Sequence, residues 1–196
     1  MKYDPQIHHR RSIRLRGYNY SQAGAYFVTV CTSDGEHLLG EVTDGVVRLN
    51  EYGKMAALCW QWLARRYPNV DLDEWIVMPN HLHGIIVITD EGRRGGSARG
   101  GSRTAPTTAE CRGGSRTAPT TAIKRKPLGR LIGAFKTIST QRINEIRNVR
   151  GARVWQRNYY EHIVRNEDEL KKIREYIATN PLRWGQETAG AVREPW

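Results

Sequence analysis

Residues 81–88 read His81-Leu82-His83-Gly84-Ile85-Ile86-Val87-Ile88, a His-x-His pair at the head of an apolar run. A run of this length after Pro79-Asn80 predicts a central strand of a β-sheet. Side chains two residues apart on a strand share a face, so the imidazoles of His81 and His83 converge. This spacing gives half of a site for a divalent metal ion. Two histidines that only pack in the core are the alternative interpretation.

A second group of candidate residues lies far downstream on a predicted helix. Tyr176 and Asn180 are four residues apart, which places both side chains on one helical face. Lys172 lies one turn before Tyr176 on that face, where it would neutralise phosphate or stabilise a phenolate. A tyrosine beside a bound metal indicates covalent catalysis. A half-buried core tyrosine and a solvated surface lysine are the alternatives.

The first third of the chain predicts three strands and a helix. Residues 25–31, 38–42 and 46–49 are short apolar runs separated by Asp-Gly pairs, a pattern typical of antiparallel strands. Helical spacing begins after Asn50, a residue type that caps helices, and stops at Tyr67-Pro68.

The rest of the chain predicts helices around one further strand. Residues 128–146 keep a helical period, with an apolar side and a basic side that carries Lys136, a candidate DNA contact. Residues 154–164 are compatible with a strand. The last helix begins at Asn166, with Glu169 in a capping-box-like position, and is expected to end at Asn180-Pro181.

Charge indicates a nucleic-acid partner. The 196 residues suit one domain, and 31 Lys and Arg against 20 Asp and Glu give a net charge of +11. Two basic segments are the candidate phosphate contacts, with a merely solvated basic surface as the alternative. Their residues are Arg10, Arg11, Arg14, Arg16, Lys124, Arg125 and Lys126.

The sequence contains no candidate membrane span and no hydrophobic signal core at its start, so we expect a cytoplasmic protein associated with the nucleoid. Cys31, Cys59 and Cys111 are isolated and odd in number, which supports neither a disulfide framework nor a thiolate zinc site.

A low-complexity insertion interrupts the chain at residues 92–122. Its composition is too polar and too rich in glycine to form a core, so we expect a flexible loop. The eleven-residue sequence RGGSRTAPTTA occurs at 99–109 and again, identically, at 112–122. This tandem repeat is too short to be a solenoid unit. A plain linker is the simplest interpretation, and an arginine-bearing tether for phosphate is the alternative.

Several blocks together resemble one family, the REP-associated tyrosine transposases, which are single-tyrosine members of the HUH endonucleases. The resemblance covers nearly the whole chain outside the insertion. The blocks are RSIRL at 11–15, MPNHLH at 78–83, LGRLIGAFK at 128–136, Trp155-Gln156, Glu161-His162 and YIATNP at 176–181.

The resemblance implies an α+β fold, with a ferredoxin-like antiparallel sheet of the HUH type flanked by helices. It also implies that His81, His83 and Asn180 bind Mg²⁺ or Mn²⁺ and that Tyr176 is the nucleophile. Tyr176 would then attack a phosphodiester of single-stranded DNA to form a 5′-phosphotyrosine, without ATP. The implied substrates are palindromic DNA hairpins, and the protein would act as a monomer or a homodimer.

Three other functions stay open at the level of sequence. An HUH nickase or replication initiator would use the same chemistry without transposition. A non-catalytic nucleic-acid-binding module would use the basic residues alone. A zinc hydrolase is the weakest alternative, because no third His, Cys or carboxylate stands at a zinc-like spacing.

Overall fold

The computed structural model describes residues 15, 17–90 and 125–184. The insertion at 92–122 with its repeat therefore lies outside the described residues, and its predicted flexibility stays a prediction. In chain order the elements are β1 (Gly24–Cys31), a 3-10 turn (Ser33–Gly35), β2 (Gly40–Thr43), β3 (Val46–Leu49), α1 (Glu51–Arg66), β4 (Val70–Val77), β5 (His81–Ile88), α2 (Leu128–Ile146), β6 (Tyr160–Val164) and α3 (Glu167–Arg183).

The main sheet has four strands in the order β4-β5-β1-β6, and every neighbouring pair is antiparallel. Helix α1 connects β1 to β4, and α2 connects β5 to β6. This is the βαββαβ arrangement of ferredoxin-like folds, which confirms the expected fold class. Strand β5 is central, as its apolar run predicts.

Helices cover both faces of this sheet. On one, which we call the α1–α2 face, Val28, Leu82 and Ile86 join a large core that includes Trp60 and Phe135. On the other, the α3 face, a small cluster forms from residues of β1, β5 and α3: Phe27, Ile85, Ile173, Tyr176 and Ile177. Because side chains alternate along a strand, the parity that buries Ile85 under α3 also places His81 and His83 there.

Both predicted helix caps are present. The Asn50 side chain accepts hydrogen bonds from the N–H groups of Tyr52 and Gly53 at the start of α1. The Asn166 side chain accepts from the Glu169 N–H at the start of α3. Glu169 itself accepts from the backbone N–H of Arg165 at 2.7 Å, so the two side chains fix the entry into α3.

Strands β2 and β3 form where predicted, but they pair only with each other. Both edges of the end of β1 are already occupied. Thr32 donates its N–H to the Asn80 carbonyl on one side, and on the other Gln156 donates its N–H to the Cys31 carbonyl. The β2–β3 hairpin therefore lies outside the main sheet.

Two predicted boundaries differ from the structure. Within 154–164 only β6 is a strand of the main sheet, and Trp155 contributes an isolated bridge to Thr32. Helix α3 does not end at Asn180-Pro181 but continues to Arg183 with Pro181 inside it. The bias of a residue before proline against helical geometry is thus overcome here, where Asn180 is buried against the sheet.

Candidate active site

Four predicted site residues lie together under the C-terminal half of α3. The exposed fractions of His81 and His83 are 2% and 0%, and those of Tyr176 and Asn180 are 5% and 4%. The two imidazole rings are 4.4 Å apart between centroids. The Tyr176 hydroxyl lies 3.5 Å from Nε2 of His83. Residues more than 90 positions apart therefore form one buried polar cluster.

Phe27 forms the apolar wall of this cluster. Its ring stacks on His83 with centroids 5.5 Å apart, and it meets Tyr176 edge-on at 6.2 Å. Phe27 lies two residues before Thr29, the direct strand partner of His83, and therefore on the same face of the sheet. The packing fixes both rings in the orientation that brings Nε2 and the hydroxyl together.

Each histidine is held by a hydrogen bond at Nδ1. His81 Nδ1 lies 2.7 Å from Oδ1 of the Asn80 side chain. His83 Nδ1 lies 2.9 Å from Thr29 Oγ1. Partners of this kind orient metal-binding imidazoles and set their tautomer, leaving Nε2 as the ligand atom. The sequence did not assign these roles to Asn80 and Thr29, although Thr29 is a polar residue within an apolar strand.

Both histidines are neutral in this environment. Burial lowers the pKa of His81 to about 4, an effect that the nearby Asn180 amide opposes. Burial also holds the pKa of His83 well below its usual value, and the neighbouring His81 adds to the decrease. A neutral imidazole keeps a lone pair for a metal ion at physiological pH.

The cluster is chemically suited to a divalent cation. Nε2 of His81 is buried and has no hydrogen-bond partner among the described residues, a costly arrangement that a bound cation would relieve. No group of three or more His, Cys, Asp or Glu within 17–90 and 125–184 is arranged to hold a metal. The candidate donors are instead two imidazoles and the Asn180 amide, which leave positions for water or phosphate oxygens.

An aromatic residue borders the cluster. The Trp184 ring, partly exposed after the last turn of α3, lies 5.9 Å from the His81 ring. The exposed His37 packs on Trp184 at 5.3 Å. The structure therefore places an aromatic ring at the edge of the histidine pair.

Only four of the predicted phosphate contacts lie within the described residues. Arg10, Arg11, Arg14, Arg16 and Lys124 lie outside the described residues. Arg125 forms an ion pair with Asp90. Lys126 and Lys172 are exposed. Lys136 donates to the backbone carbonyls of Gln156 and Asn158, and burial lowers its pKa to about 8. The assignment of these residues to DNA stays a prediction.

None of the helices in the described part of the chain has the length and apolar character that a membrane crossing requires.

Comparisons with known proteins place the chain in a family and in a fold. No protein-family model matches it. A Haemophilus influenzae protein described as uncharacterized is 38% identical over 189 residues, which cover 95% of this chain and 96% of the relative. The fold defines an α+β protein with a ferredoxin-like sheet, and this level of identity shows that the chain belongs to the same family as the Haemophilus protein.

Two solved structures are similar to the chain. A REP-associated tyrosine transposase bound to a REP hairpin superposes with a TM-score of 0.54 at 16% identity, covering 90% of this chain and 76% of the other. A putative transposase from Deinococcus radiodurans gives a TM-score of 0.42 at 14% identity, with 85% and 96% covered. At 16% identity, the similarity to the REP-associated tyrosine transposase is a similarity of fold alone.

Proposed function

We propose that this protein is a metal-dependent single-stranded DNA endonuclease and strand transferase that acts on palindromic hairpins, as a REP-type transposase does. One observation carries the proposal: the Tyr176 hydroxyl lies 3.5 Å from Nε2 of the buried His83, and the adjacent His81 also presents a buried Nε2. The solved structure of similar fold is itself bound to a REP hairpin, which favours DNA as the substrate.

The proposed reaction is a transesterification at phosphorus. The Tyr176 oxygen attacks the scissile phosphate, and the bond from phosphorus to the 3′-oxygen breaks. The products are a 5′-phosphotyrosine and a free 3′-hydroxyl, which takes up the proton that the tyrosine loses. One phosphodiester replaces another, so the step consumes no nucleotide cofactor.

His81, His83 and Asn180 would hold Mg²⁺ or Mn²⁺, which supplies a positive charge that polarises the phosphate. The surrounding residues hold His83 and Tyr176 in position. Phe27 and the Thr29 hydrogen bond hold His83, and α3 holds Tyr176 beside it. Tyrosine has a pKa near 10 in water, so its attack depends on this fixed placement beside positive charge.

The decisive experiment is a search for the covalent intermediate. Wild-type protein incubated with labelled single-stranded hairpins and Mn²⁺ is expected to form a DNA adduct that survives denaturing electrophoresis. Tyr176→Phe removes one oxygen and keeps the ring, so we expect adduct and cleavage to fall to the detection limit while the protein stays folded. Tyr52→Phe on α1 is the matched control and should cleave normally. Undiminished cleavage by Tyr176→Phe would exclude this tyrosine as the nucleophile.

Metal binding gives a separate readout. His81→Ala with His83→Ala is expected to abolish Mn²⁺ binding in calorimetry and cleavage together, because both Nε2 atoms are lost. His162→Gln is the control, since the His162 imidazole lies 2.6 Å from a Glu169 carboxylate oxygen and is not one of the proposed metal ligands. Wild-type Mn²⁺ affinity in the double variant would show that the pair is structural. A protein that binds hairpins but forms no adduct with any divalent metal would instead be a non-catalytic binding module.

The same chemistry serves an HUH nickase or replication initiator, and mobilisation of a hairpin-flanked reporter separates transposition from nicking. The oligomeric state, a monomer or a homodimer, stays a prediction. The cytoplasmic, nucleoid-associated location also stays a prediction.

A further inference from the structure

A groove on the protein surface lies outside the candidate active site. It runs between the C-terminal half of α2 and the segment 148–157, and its volume is about 980 Å³. None of the residues that line it belongs to the cluster under α3. The groove is therefore a second concave surface with its own chemistry.

The groove is strongly cationic. Arg150, Arg153 and Arg157 line it and are exposed, and none of them forms an ion pair with a described residue. The one carboxylate among its lining residues is Glu145, which already pairs with Arg142 at 3.1 Å. Guanidinium groups suit phosphate because they offer paired donors in a plane.

The arginines stand on a segment that is anchored to α2. The Asn144 side chain donates to the Ala152 carbonyl at 2.8 Å. The Trp155 indole donates to Ser139 Oγ, also at 2.8 Å. Lys136 donates to the Gln156 carbonyl at 2.8 Å. A backbone held in this way keeps the positions of the arginines along the groove fixed before a ligand arrives, which lowers the entropy cost of binding.

The groove and the active site meet at the same end of the sheet, although α2 and the α3 cluster lie on its opposite faces. Gln156, at its end, donates its N–H to the Cys31 carbonyl at 2.9 Å, and Cys31 is the strand partner of His81. Neighbouring strands are about 4.8 Å apart, so two spacings put the Gln156 backbone about 10 Å from that of His81. This distance equals about three base-pair rises of duplex DNA, at about 3.4 Å of helix axis for each phosphate of one strand.

We propose that the groove binds the phosphate backbone of the DNA strand that leads away from the scissile phosphate. This inference rests on the proposed function in taking DNA as the ligand. The contacts are electrostatic, so the groove holds the strand in register without reading its sequence.

The test is DNA binding as a function of salt. The triple variant Arg150→Gln, Arg153→Gln and Arg157→Gln is compared with Lys54→Gln, Arg65→Gln and Arg66→Gln, which removes three exposed charges from α1. The probe is a fluorescent hairpin with single-stranded flanks, read by anisotropy with EDTA present so that no cleavage occurs. Thermal melting checks that both variants are folded.

The groove variant is expected to bind at least about ten times more weakly in 100 mM salt. Its slope of log K against log salt should fall by about 2, since each phosphate contact contributes about 0.7–0.9. The α1 variant should stay within about 1 of the wild-type slope. Equal losses in the two variants, or no loss in either, would overturn the proposal.

Two further outcomes separate this inference from the proposed function. Groove-dependent binding by a protein that never forms a tyrosine adduct would support the groove and reject catalysis. Cleavage and hairpin binding that are unchanged by loss of the three arginines would support catalysis and reject the groove. Poly-aspartate that binds as tightly as DNA, and through the same arginines, would overturn DNA as the ligand.

Discussion

The two faces of the sheet differ in what they bury. The α1–α2 face buries a large, mainly apolar core that includes Trp60, Phe135 and Ile86. The α3 face buries only a small apolar cluster, together with the polar side chains of His81, His83, Thr29 and Asn180. Apolar burial stabilises a fold, and polar burial without full hydrogen bonding costs stability. The comparison shows that one side of the sheet supports the fold and the other carries the candidate chemistry.

The largest effect is expected from damage to the α1–α2 face. Phe135 is fully buried and meets Trp60 and Trp155, each at 5.3 Å between ring centroids. Phe135→Ala should lower the free energy of unfolding by about 3–5 kcal/mol, because it leaves a cavity. Tyr176→Phe on the opposite face should lower it by less than about 1 kcal/mol. Urea denaturation measures both, and equal losses would contradict the division of roles between the faces.

A smaller effect is expected at Gly84, which faces the α1–α2 core and directly follows His83 of the α3 face. A Cβ here would approach Trp60 to within 2.5 Å on the α1–α2 face. Gly84→Ala should cost about 1–3 kcal/mol through overpacking and should also weaken Mn²⁺ binding, because the strand carrying His83 must shift.

The matched control for Gly84→Ala is Gly133→Ala on α2, where a Cβ would meet nothing within 4 Å. Alanine is favoured over glycine in a helix, so this variant should gain about 0.5–1 kcal/mol and bind metal normally. Unchanged Mn²⁺ affinity in Gly84→Ala would show that the site tolerates movement of β5.

The smallest effect is expected for the ion pair that ties α3 to β4. Arg174 donates to both oxygens of Asp73, at 2.9 and 2.6 Å, and these hydrogen bonds lower the pKa of Asp73. The Arg174 side chain is 40% exposed, so solvent screening limits the pair to about 0.5–1 kcal/mol.

The pH dependence of this pair has a defined sign. Because the folded-state pKa is lowered, the pair stabilises the fold above the unfolded pKa of about 3.9 and is lost as pH falls through the lower folded value. Asp73→Asn should therefore be less stable than wild type at pH 7, and the difference should vanish in acid. Glu167→Gln, which alters a more exposed partner of the same arginine, should have no measurable effect at either pH.

Local signals in the sequence predicted much of this molecule. Asn50 and Asn166 mark helix starts because a cap depends only on the next few residues. The length of the apolar run at 81–88 predicted a central strand, and the two-residue spacing predicted both histidines on one face. The structure places Tyr176 and Asn180 against that face. Whether these four residues bind metal and cleave DNA stays a prediction.

Features that depend on distant residues escaped the sequence. Thr29 and His83 are 54 positions apart, and only the register of β1 against β5 brings them together. The arginines at 150–157 form a groove only because α2 packs beside them. Both features depend on tertiary contacts, which a pattern in neighbouring residues does not contain.

Pro181 inside α3 has a consequence for motion. Proline has no N–H, so the Ile177 carbonyl lacks the helical hydrogen bond that residue 181 would otherwise donate. The turn that carries Asn180 and leads to Trp184 is therefore held by fewer bonds than the turn before it. Amide hydrogen exchange should be faster at 182–184 than at 173–177, which packs on the sheet. Fraying of that last turn would expose the buried Tyr176 hydroxyl at a low free-energy cost, without unfolding the sheet beneath it.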